Sequence, residues 1–294
     1  MIVKKEKGKS TLVTIGEETK TVKQWAQEKG ISSRVINQRI NNGWSEEKIF
    51  QNVMPMSHHS FNEHYFDIID NEHKAYWLGF IWSDGYLGYR IRDDGREEYN
   101  LKLSLMKNDN QHLEKFNHDL QGNYKIHYYI HSKSSFKSSD PYEARLFITN
   151  KYLGTVLRNK YGIVPFREDC TKLINNIPKY LAPHFIRGIV DADGTFSHYI
   201  VQDKEYMLNK YTIHICGSAS ILRYIESNLI DAGLIDDIKR KLQKRHKEEH
   251  RDKGCRTLVL SGKNNVMSVL NYLYKDATIY LDRKYEKYID ILNI

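Results

Sequence analysis

Ala75-Tyr-Trp-Leu-Gly-Phe-Ile-Trp-Ser-Asp-Gly85 and His184-Phe-Ile-Arg-Gly-Ile-Val-Asp-Ala-Asp-Gly194 are two versions of one pattern. Their Asp-Gly pairs lie 109 residues apart, at 84 and 193. Each stretch is apolar almost all round (Trp77, Leu78, Phe80, Ile81; Phe185, Ile186, Ile189, Val190), which marks a buried helix. Each carries small residues at i and i+4, Gly79 with Ser83 and Gly188 with Ala192. Such a stripe lets two helix backbones approach closely, for steric reasons that hold for any helix pair. The pattern predicts two helices packed on each other, each ending in Asp followed by a glycine expected in the left-handed C′ position.

The duplication extends outward from the helices. Behind the first, Leu101–Leu105 alternates like a strand, Leu113 and Phe116 mark a helix, Arg145–Thr149 alternates, and Leu153–Leu157 marks a helix. Behind the second come Tyr211–Ile215, Leu222 with Ile225, Arg256–Leu260 and Val266–Leu273, in the same order. The reading is an α+β fold of two pseudosymmetric αββαββα-type subdomains, 65–175 and 176–294, packed through the paired helices.

The two acids sit where they cost stability. A helix C-terminus carries partial negative charge, so an acid there is disfavoured by about 0.3–1 kcal/mol. If the helices pack together, Asp84 and Asp193 also face each other, and one pKa must rise unless a cation intervenes. An ordinary Asp-Gly turn explains one copy more readily than two. A divalent cation held by the carboxylates, helix-end carbonyls and phosphate oxygens would compensate the repulsion, and that hard-oxygen set suits Mg²⁺. Asp84 and Asp193 are the expected metal ligands; the backbone of Ser83 is not assigned.

Trp77–Gly85 and Ile186–Gly194 resemble the paired nine-residue motifs of the LAGLIDADG homing endonucleases. The first copy departs at the sixth position, with Trp82 where the second has Asp191; the acid the family uses is the eighth residue, present as Asp84 and Asp193. The likeness runs over roughly residues 70–294, through Ile163-Val-Pro165 and Thr278-Ile-Tyr-Leu-Asp-Arg-Lys-Tyr285. It implies a monomer in which each subdomain holds a curved antiparallel sheet lying along the DNA major groove. The implied activity is Mg²⁺-dependent double-strand cleavage of a long asymmetric DNA target by phosphodiester hydrolysis. Lys107, Arg167, Lys263 and Lys284 are the basic candidates for the site, by position after a strand or by resemblance to the family's basic pocket; the family usually has lysine where Arg167 stands. Strand residues rich in base-edge chemistry follow each acid: Tyr86, Tyr89, Arg90, Arg92, Asn100, Lys102 and Ser104, then Ser197, Tyr199, Gln202, Tyr211 and His214. The basic run containing Lys239 and Arg240 is expected on phosphates.

Upstream, residues 1–53 read as a small helical module and 54–64, with its His58-His59 pair, as a linker. Thr11–Ile15 alternates like a strand; Val22, Trp25 and Ala26 start a helix that stops at Gly30; Ser32 or Ser33 opens a second helix with Val35, Ile36 and Ile40 on one face. Arg34, Asn37, Gln38, Arg39 and Asn41 are expected to face outward. Two short helices around a glycine turn, the second bearing Arg34, Gln38 and Arg39, form the plan of a DNA-binding helix-turn-helix. The stretch resembles the helix-turn-helix modules attached to phage-encoded nucleases.

Composition sets the bounds. Lys and Arg total 45 against 37 Asp and Glu, a formal charge of +8, which suits a polyanionic partner but would equally serve a ribosome-associated protein. Cys170, Cys216 and Cys255 give neither a disulfide framework nor a CxxC metal motif. The apolar run Tyr76–Trp82 is far shorter than the roughly 20 residues of a membrane span. No targeting signal is read, so a soluble protein of a bacterial or phage-infected cytoplasm is expected, with double-stranded DNA as partner and no membrane. The competing readings are a non-cleaving DNA-binding regulator and a maturase binding its own intron RNA on the same fold. An intein nuclease is disfavoured by Met1 and by the ending Leu292-Asn293-Ile294.

Overall fold

The computed structural model describes residues 2–4, 11–41, 43–50, 59–130, 142–165, 167–203, 206–238, 240–244 and 254–294. The chain divides into two compact units, Met1–His58 and His59–Ile294.

The first unit contains β1 (Ile2–Lys4), β2 (Leu12–Ile15), β3 (Glu18–Thr21), α1 (Val22–Lys29), α2 (Ser33–Asn41) and α3 (Glu46–Ile49). The module expected as helical therefore also carries an antiparallel sheet in the order β1-β2-β3. Strand β3 reads Glu-Thr-Lys-Thr, without apolar alternation, and exists through its pairing with β2, Leu12 opposite Thr21 and Ile15 opposite Glu18. Thr21 starts α1 with a capping box: its hydroxyl accepts from Gln24 N at 3.2 Å, and the Gln24 amide accepts from Thr21 N at 2.8 Å. Gly30 ends the helix at φ +66°, a conformation that a side chain resists. Ser32 opens α2 by accepting from Val35 N at 3.3 Å. Val13, Val22, Trp25, Ile31, Ile36 and Ile49 form the core, and the buried Trp25 indole donates to Val13 O at 2.9 Å.

The second unit runs α4 (Glu72–Asp84), β4 (Tyr86–Ile91), β5 (Glu97–Met106), α5 (Asn110–Asp119), β6 (His127–Ile130), β7 (Tyr142–Thr149), α6 (Lys151–Asn159) and α7 (Thr171–Ile174). It then repeats the order with α8 (Ala182–Asp193), β8 (Gly194–Asp203), β9 (Tyr206–Gly217), α9 (Ala219–Asp231), β10 (Gln243–Lys244), β11 (Arg256–Ser261), α10 (Lys263–Tyr274) and α11 (Asp282–Leu292). The two four-stranded antiparallel sheets have orders β4-β5-β7-β6 and β8-β9-β11-β10, the same permutation of first, second, fourth and third strand. In each sheet one face is buried (Leu87, Leu101, Leu103, Leu146, Ile148; Phe196, Ile213, Ile215, Leu258, Leu260), while the alternate residues form the opposite face. The fold is thus two pseudosymmetric halves joined through α4 and α8, as the repeat predicts.

Residues 59–64, expected within the linker, lie on the second unit. Ser60 N donates to Asn123 Oδ1 at 3.1 Å, Asn62 N to Leu120 O at 2.7 Å, and the His59 ring stacks on Tyr124 at 4.7 Å. Linker residues 54–58, His58 among them, fall outside the described residues.

Candidate active site

The seam is set by two glycines. A Cβ on Gly79 would collide with the backbone carbonyl of Phe185, and one on Gly188 with the carbonyl of Tyr76 and the amide of Phe80. Each helix therefore touches the other's main chain at its central small residue.

The terminal glycines act differently from expectation. Gly85 (φ −76°, ψ 138°) and Gly194 (φ −93°, ψ 156°) are extended, not left-handed. The chain passes from the helix straight into β4 or β8, with Gly85 N still donating to Ile81 O at 3.0 Å. That close passage is why glycine is required: a Cβ would strike Ile81 or Val190, four residues back.

The turnless exits place Asp84 and Asp193 at adjoining helix ends. Burial, and next the Asp193 charge, push the Asp84 carboxyl up to about 7, against the pull of Arg283, Lys284 and Arg167. Two of those cations occupy equivalent places. The Arg167 guanidinium donates to Ile81 O and Val164 O, both at 3.0 Å, and to Trp82 O and Gly85 O. The Lys284 ammonium donates to Gly194 O and reaches Val190 O at 3.5 Å. Each thus closes the carboxyl end of one motif helix, where orphan carbonyls favour a cation. Burial lowers Arg167 to about 10, opposed by both acids, and lowers Lys284 to about 8. A cavity of about 640 Å³ adjoins them, with Trp82, Tyr86, Arg167, Glu168 and Asp193 in its wall.

Among the described residues no group of three His, Cys, Asp or Glu side chains forms a protein-only metal site. Mg²⁺ commonly takes one or two carboxylates together with substrate phosphate and water. Asp84 and Asp193 fit that set, as two carboxylates closing the two packed motif helices beside an open cavity.

The sixth motif residue separates the halves. Asp191 is buried and accepts from Tyr76 Oη at 2.7 Å, Tyr274 Oη at 2.6 Å and Leu281 N at 2.8 Å. His112 Nε2 lies 2.9 Å from the Tyr76 hydroxyl, and burial holds its ring near a pKa of 3 and hence neutral. At the other pole of the seam the buried Arg187 donates to Glu72 Oε1 at 2.6 Å, to Leu273 O at 2.7 Å and to Ile279 O at 2.9 Å. Of these ties, Tyr76–Asp191 and Glu72–Arg187 cross between the halves, and the sequence reading missed them.

Among the described residues the other basic candidates close neither motif helix. Lys107, exposed in the turn after β5, sits over the Tyr142 ring at 4.9 Å. Lys263, the first residue of α10, sits over the Tyr211 ring at 5.4 Å. It lies two residues beyond Ser261, which pairs with Thr212, whereas Gly194 pairs with Ile215, three residues further along β9. Sheet register thus sets the backbone of Lys263 several residues along the sheet from Asp193.

Of the groups expected to read bases, Tyr86, Arg90, Asn100, Lys102, Ser197, Tyr199 and His214 fall on the faces opposite the core. Arg90 and Arg92 are both paired with Glu98, and Lys102 lies over the Tyr86 ring at 5.4 Å. Tyr211 is a correction: it is buried, sharing the inward parity of Ile213 and Ile215. Gln202, opposite Met207 near the end of the hairpin, also shares the parity of buried Phe196. Arg240 is a second correction. It is a loop staple, donating to Asp236 O at 2.9 Å and lying 3.9 Å from Glu226. Lys239 lies outside the described residues.

In the first unit Arg34 and Gln38 are exposed on α2 as expected. Arg39 is not: it is 7 % exposed, donates to Ile49 O at 2.8 Å and stacks on Trp44 at 5.0 Å. Its planar head and long stem complete the core edge between α2 and α3.

No protein-family model matches the chain, and no curated protein matches it. Among solved structures, I-SmaMI bound to an uncleaved DNA target in the presence of calcium ions aligns with a TM-score of 0.51 at 14% identity, over 76% of this chain and 90% of that one. The I-SmaMI LAGLIDADG homing endonuclease bound to cleaved DNA aligns at 0.50 with 15% identity, over 77% and 89%. The LAGLIDADG meganuclease I-CpaMI bound to uncleaved DNA aligns at 0.50 with 12% identity, over 76% and 90%. At such identities the likeness is one of fold: the second unit has the LAGLIDADG architecture.

Proposed function

We propose that the protein is a site-specific DNA endonuclease of the homing type, acting as a monomer to hydrolyse one phosphodiester in each strand of a long asymmetric duplex. The observation that carries this reading is the meeting of Asp84 and Asp193 at adjoining helix ends, each end closed by its own cation. Two acids suit a substrate with two backbones. The DNA in the I-SmaMI and I-CpaMI structures supports duplex DNA as the partner, and the calcium in one of them supports a divalent ion. Mg²⁺ bound by Asp84 and Asp193 would supply a water of lowered pKa and charge stabilisation at the phosphate.

The chain's own groups do the rest. Arg167 and Lys284 hold the carbonyls of Ile81, Gly85 and Gly194, so the acids leave the helices in a fixed direction. Their charges offset negative charge that builds on the scissile phosphate. Tyr86, Arg90, Asn100, Lys102, Tyr199 and His214 contribute base-edge donors and acceptors. The first unit serves as a helix-turn-helix that lengthens the DNA contact, with α2 presenting Arg34 and Gln38. An intron-encoded gene is the setting that this activity suits.

The test is incubation of a plasmid library carrying genomic sequence with and without Mg²⁺, with Asp84→Asn and Asp193→Asn alongside. The unmodified protein is expected to linearise a subset of plasmids only with Mg²⁺, and each variant to bind those plasmids without linearising them. Full cutting by the double variant removes the site. Specific binding without any cut favours the regulator, and retention of intron RNA in place of duplex favours the maturase.

A further inference from the structure

Cys170, Cys216 and Cys255 lie far apart in sequence, and the proposed chemistry uses none of them. The fold sorts them. Cys170 is buried, whereas Cys216 and Cys255 are half-buried and both line the cavity of about 640 Å³ beside the acids. Strand register brings the two together. Cys216 in β9 lies opposite Thr257 in β11, its sulfur 3.6 Å from the Thr257 hydroxyl. Cys255 stands two residues before Thr257. Carried one residue beyond the start of β11, the alternation puts it on the same face, diagonal to Cys216. That face is the one opposite the core residues Ile215 and Leu258. The same register reaches Asp193. Gly194 pairs with Ile215, and the next residues outward on the two strands are Asp193 and Cys216, both in the cavity wall.

The cavity suits a small zwitterion. Its volume falls within the roughly 300–1,000 Å³ of pockets that hold small molecules. Arg167 gives the wall a positive group, Asp193 and Glu168 give it negative ones, and Val164, Pro165 and Ile221 add apolar surface. A small cysteinyl peptide carries carboxylates and an ammonium around one sulfur, and so matches both signs and the thiols.

We propose that Cys216 and Cys255 form a covalent site for one low-molecular-weight thiol of the glutathione type, and that the adduct, seated in this cavity, keeps a DNA phosphate from Asp193. The covalent half stands on the cavity and its two thiols; the blocking half rests on the endonuclease reading above. The step is thiol–disulfide exchange. A thiolate of the pair, its proton given to water, attacks one sulfur of oxidised glutathione. A protein–glutathione S–S bond forms, the glutathione S–S bond breaks, and the departing thiolate takes up a proton. Oxidised glutathione is the only oxidant the step uses. The adduct adds two carboxylates and one ammonium, a net negative charge where a polyanion must approach.

The experiment treats the reduced full-length chain with oxidised glutathione at about pH 8, near the ordinary thiol pKa, and follows it by intact mass and peptide mapping. One glutathionyl group per chain is expected, on Cys216 or Cys255 and not on buried Cys170, because the first group occupies the space that the second thiol faces. Dithiothreitol removes it. Cys216→Ser and Cys255→Ser each still take one group, at the cysteine that remains, and the double variant takes none. Two groups on one chain, a group on Cys170, loss of two hydrogens to a Cys216–Cys255 disulfide, or no adduct overturns the site. Blocking is read on a duplex recovered as cut from a randomised plasmid library. The adduct is expected to weaken binding of that duplex in Ca²⁺ by about tenfold or more, as like charges brought together at an interface do, and to stop cutting in Mg²⁺. Dithiothreitol restores both, and the double serine variant binds and cuts alike with or without oxidised glutathione. Unchanged binding and cutting by the fully modified chain overturns the blocking role. Should the double serine variant not fold, Cys216→Ala with Cys255→Ala replaces it. Failure to recover any cut duplex fells the endonuclease reading and the blocking role with it, while the mass readout still decides the covalent site.

Discussion

The Tyr76 hydroxyl of α4 donates to Oδ2 of Asp191 on α8 at 2.7 Å, a buried hydrogen bond joining the two motif helices. Tyr76→Phe removes one of three donors to a buried carboxylate and should destabilise the second unit by about 1–3 kcal/mol. Asp191→Asn should cost more. Its NH2 would replace one carboxylate oxygen and so face either the Tyr274 hydroxyl or the Tyr76 hydroxyl and the Leu281 N–H, groups that donate to the native carboxylate. Denaturant unfolding monitored by tryptophan fluorescence measures both, and equal stability of Asp191→Asn and the parent contradicts the hydrogen-bond assignment.

Gly79→Ala and Gly188→Ala each place a methyl group on the partner helix's backbone. Main chain cannot swing aside as a flexible side chain does, so each should cost about 2–3 kcal/mol, within the range for overpacked cores. The pair together should be less than additive, because one separation of the helices relieves both collisions. Thermal unfolding of the three variants checks the order.

Asp84 provides a pH test. Its folded pKa of about 7 lies above the ordinary 3.8, so between these values the folded chain keeps a proton that the unfolded chain has released. Stability contributed by this group therefore falls as pH rises through that window, and the full penalty is present above pH 7. Asp84→Asn cannot ionise. With metal chelated, it should be more stable than the parent by about 2 kcal/mol at pH 8, allowing for its half-buried setting, with the gain vanishing near pH 4. Melting temperatures at the two pH values measure this. A variant less stable at pH 8 would mean that burial and the Asp193 charge do not disfavour the ionised carboxylate.

Arg39 and Arg34 should separate cleanly. Arg39→Ala strips a partner from Ile49 O and exposes Trp44, and should destabilise the first unit by about 2 kcal/mol. Arg34→Ala should leave stability within about 0.5 kcal/mol, as for an exposed side chain, while weakening DNA binding. Amide hydrogen exchange in Val22–Asn41 and a binding titration on any duplex the protein cuts report the two effects.

Much of the second unit was legible because its signals are local. A run apolar almost all round marked α4 and α8, small residues marked the side on which they meet, and the repeated order of strands and helices marked the halves. Ser32, one of the two serines expected to open α2, was readable as a cap for the same reason. What was not legible depends on partners distant in sequence. Arg39 packs on Trp44 and bonds Ile49, which follow in a segment without clear periodicity. The equivalence of Arg167 and Lys284 emerges only once the chain has brought each to a different helix end. Tyr211 was misread despite an available signal, since its parity with Ile213 and Ile215 already directed it inward. The glycines after the acids are expected in the left-handed conformation because glycine commonly ends a helix that way; the passage past Ile81 and Val190 is a property of the folded backbone.

Because no loop separates Asp84 from β4 or Asp193 from β8, sheet and carboxylate move as one rigid arm. On the proposed function, a strand that seats poorly over a mismatched base pair would drag its acid off the phosphate line. Discrimination would then be exercised at the cut as well as at docking, and near-cognate duplexes would be held yet spared.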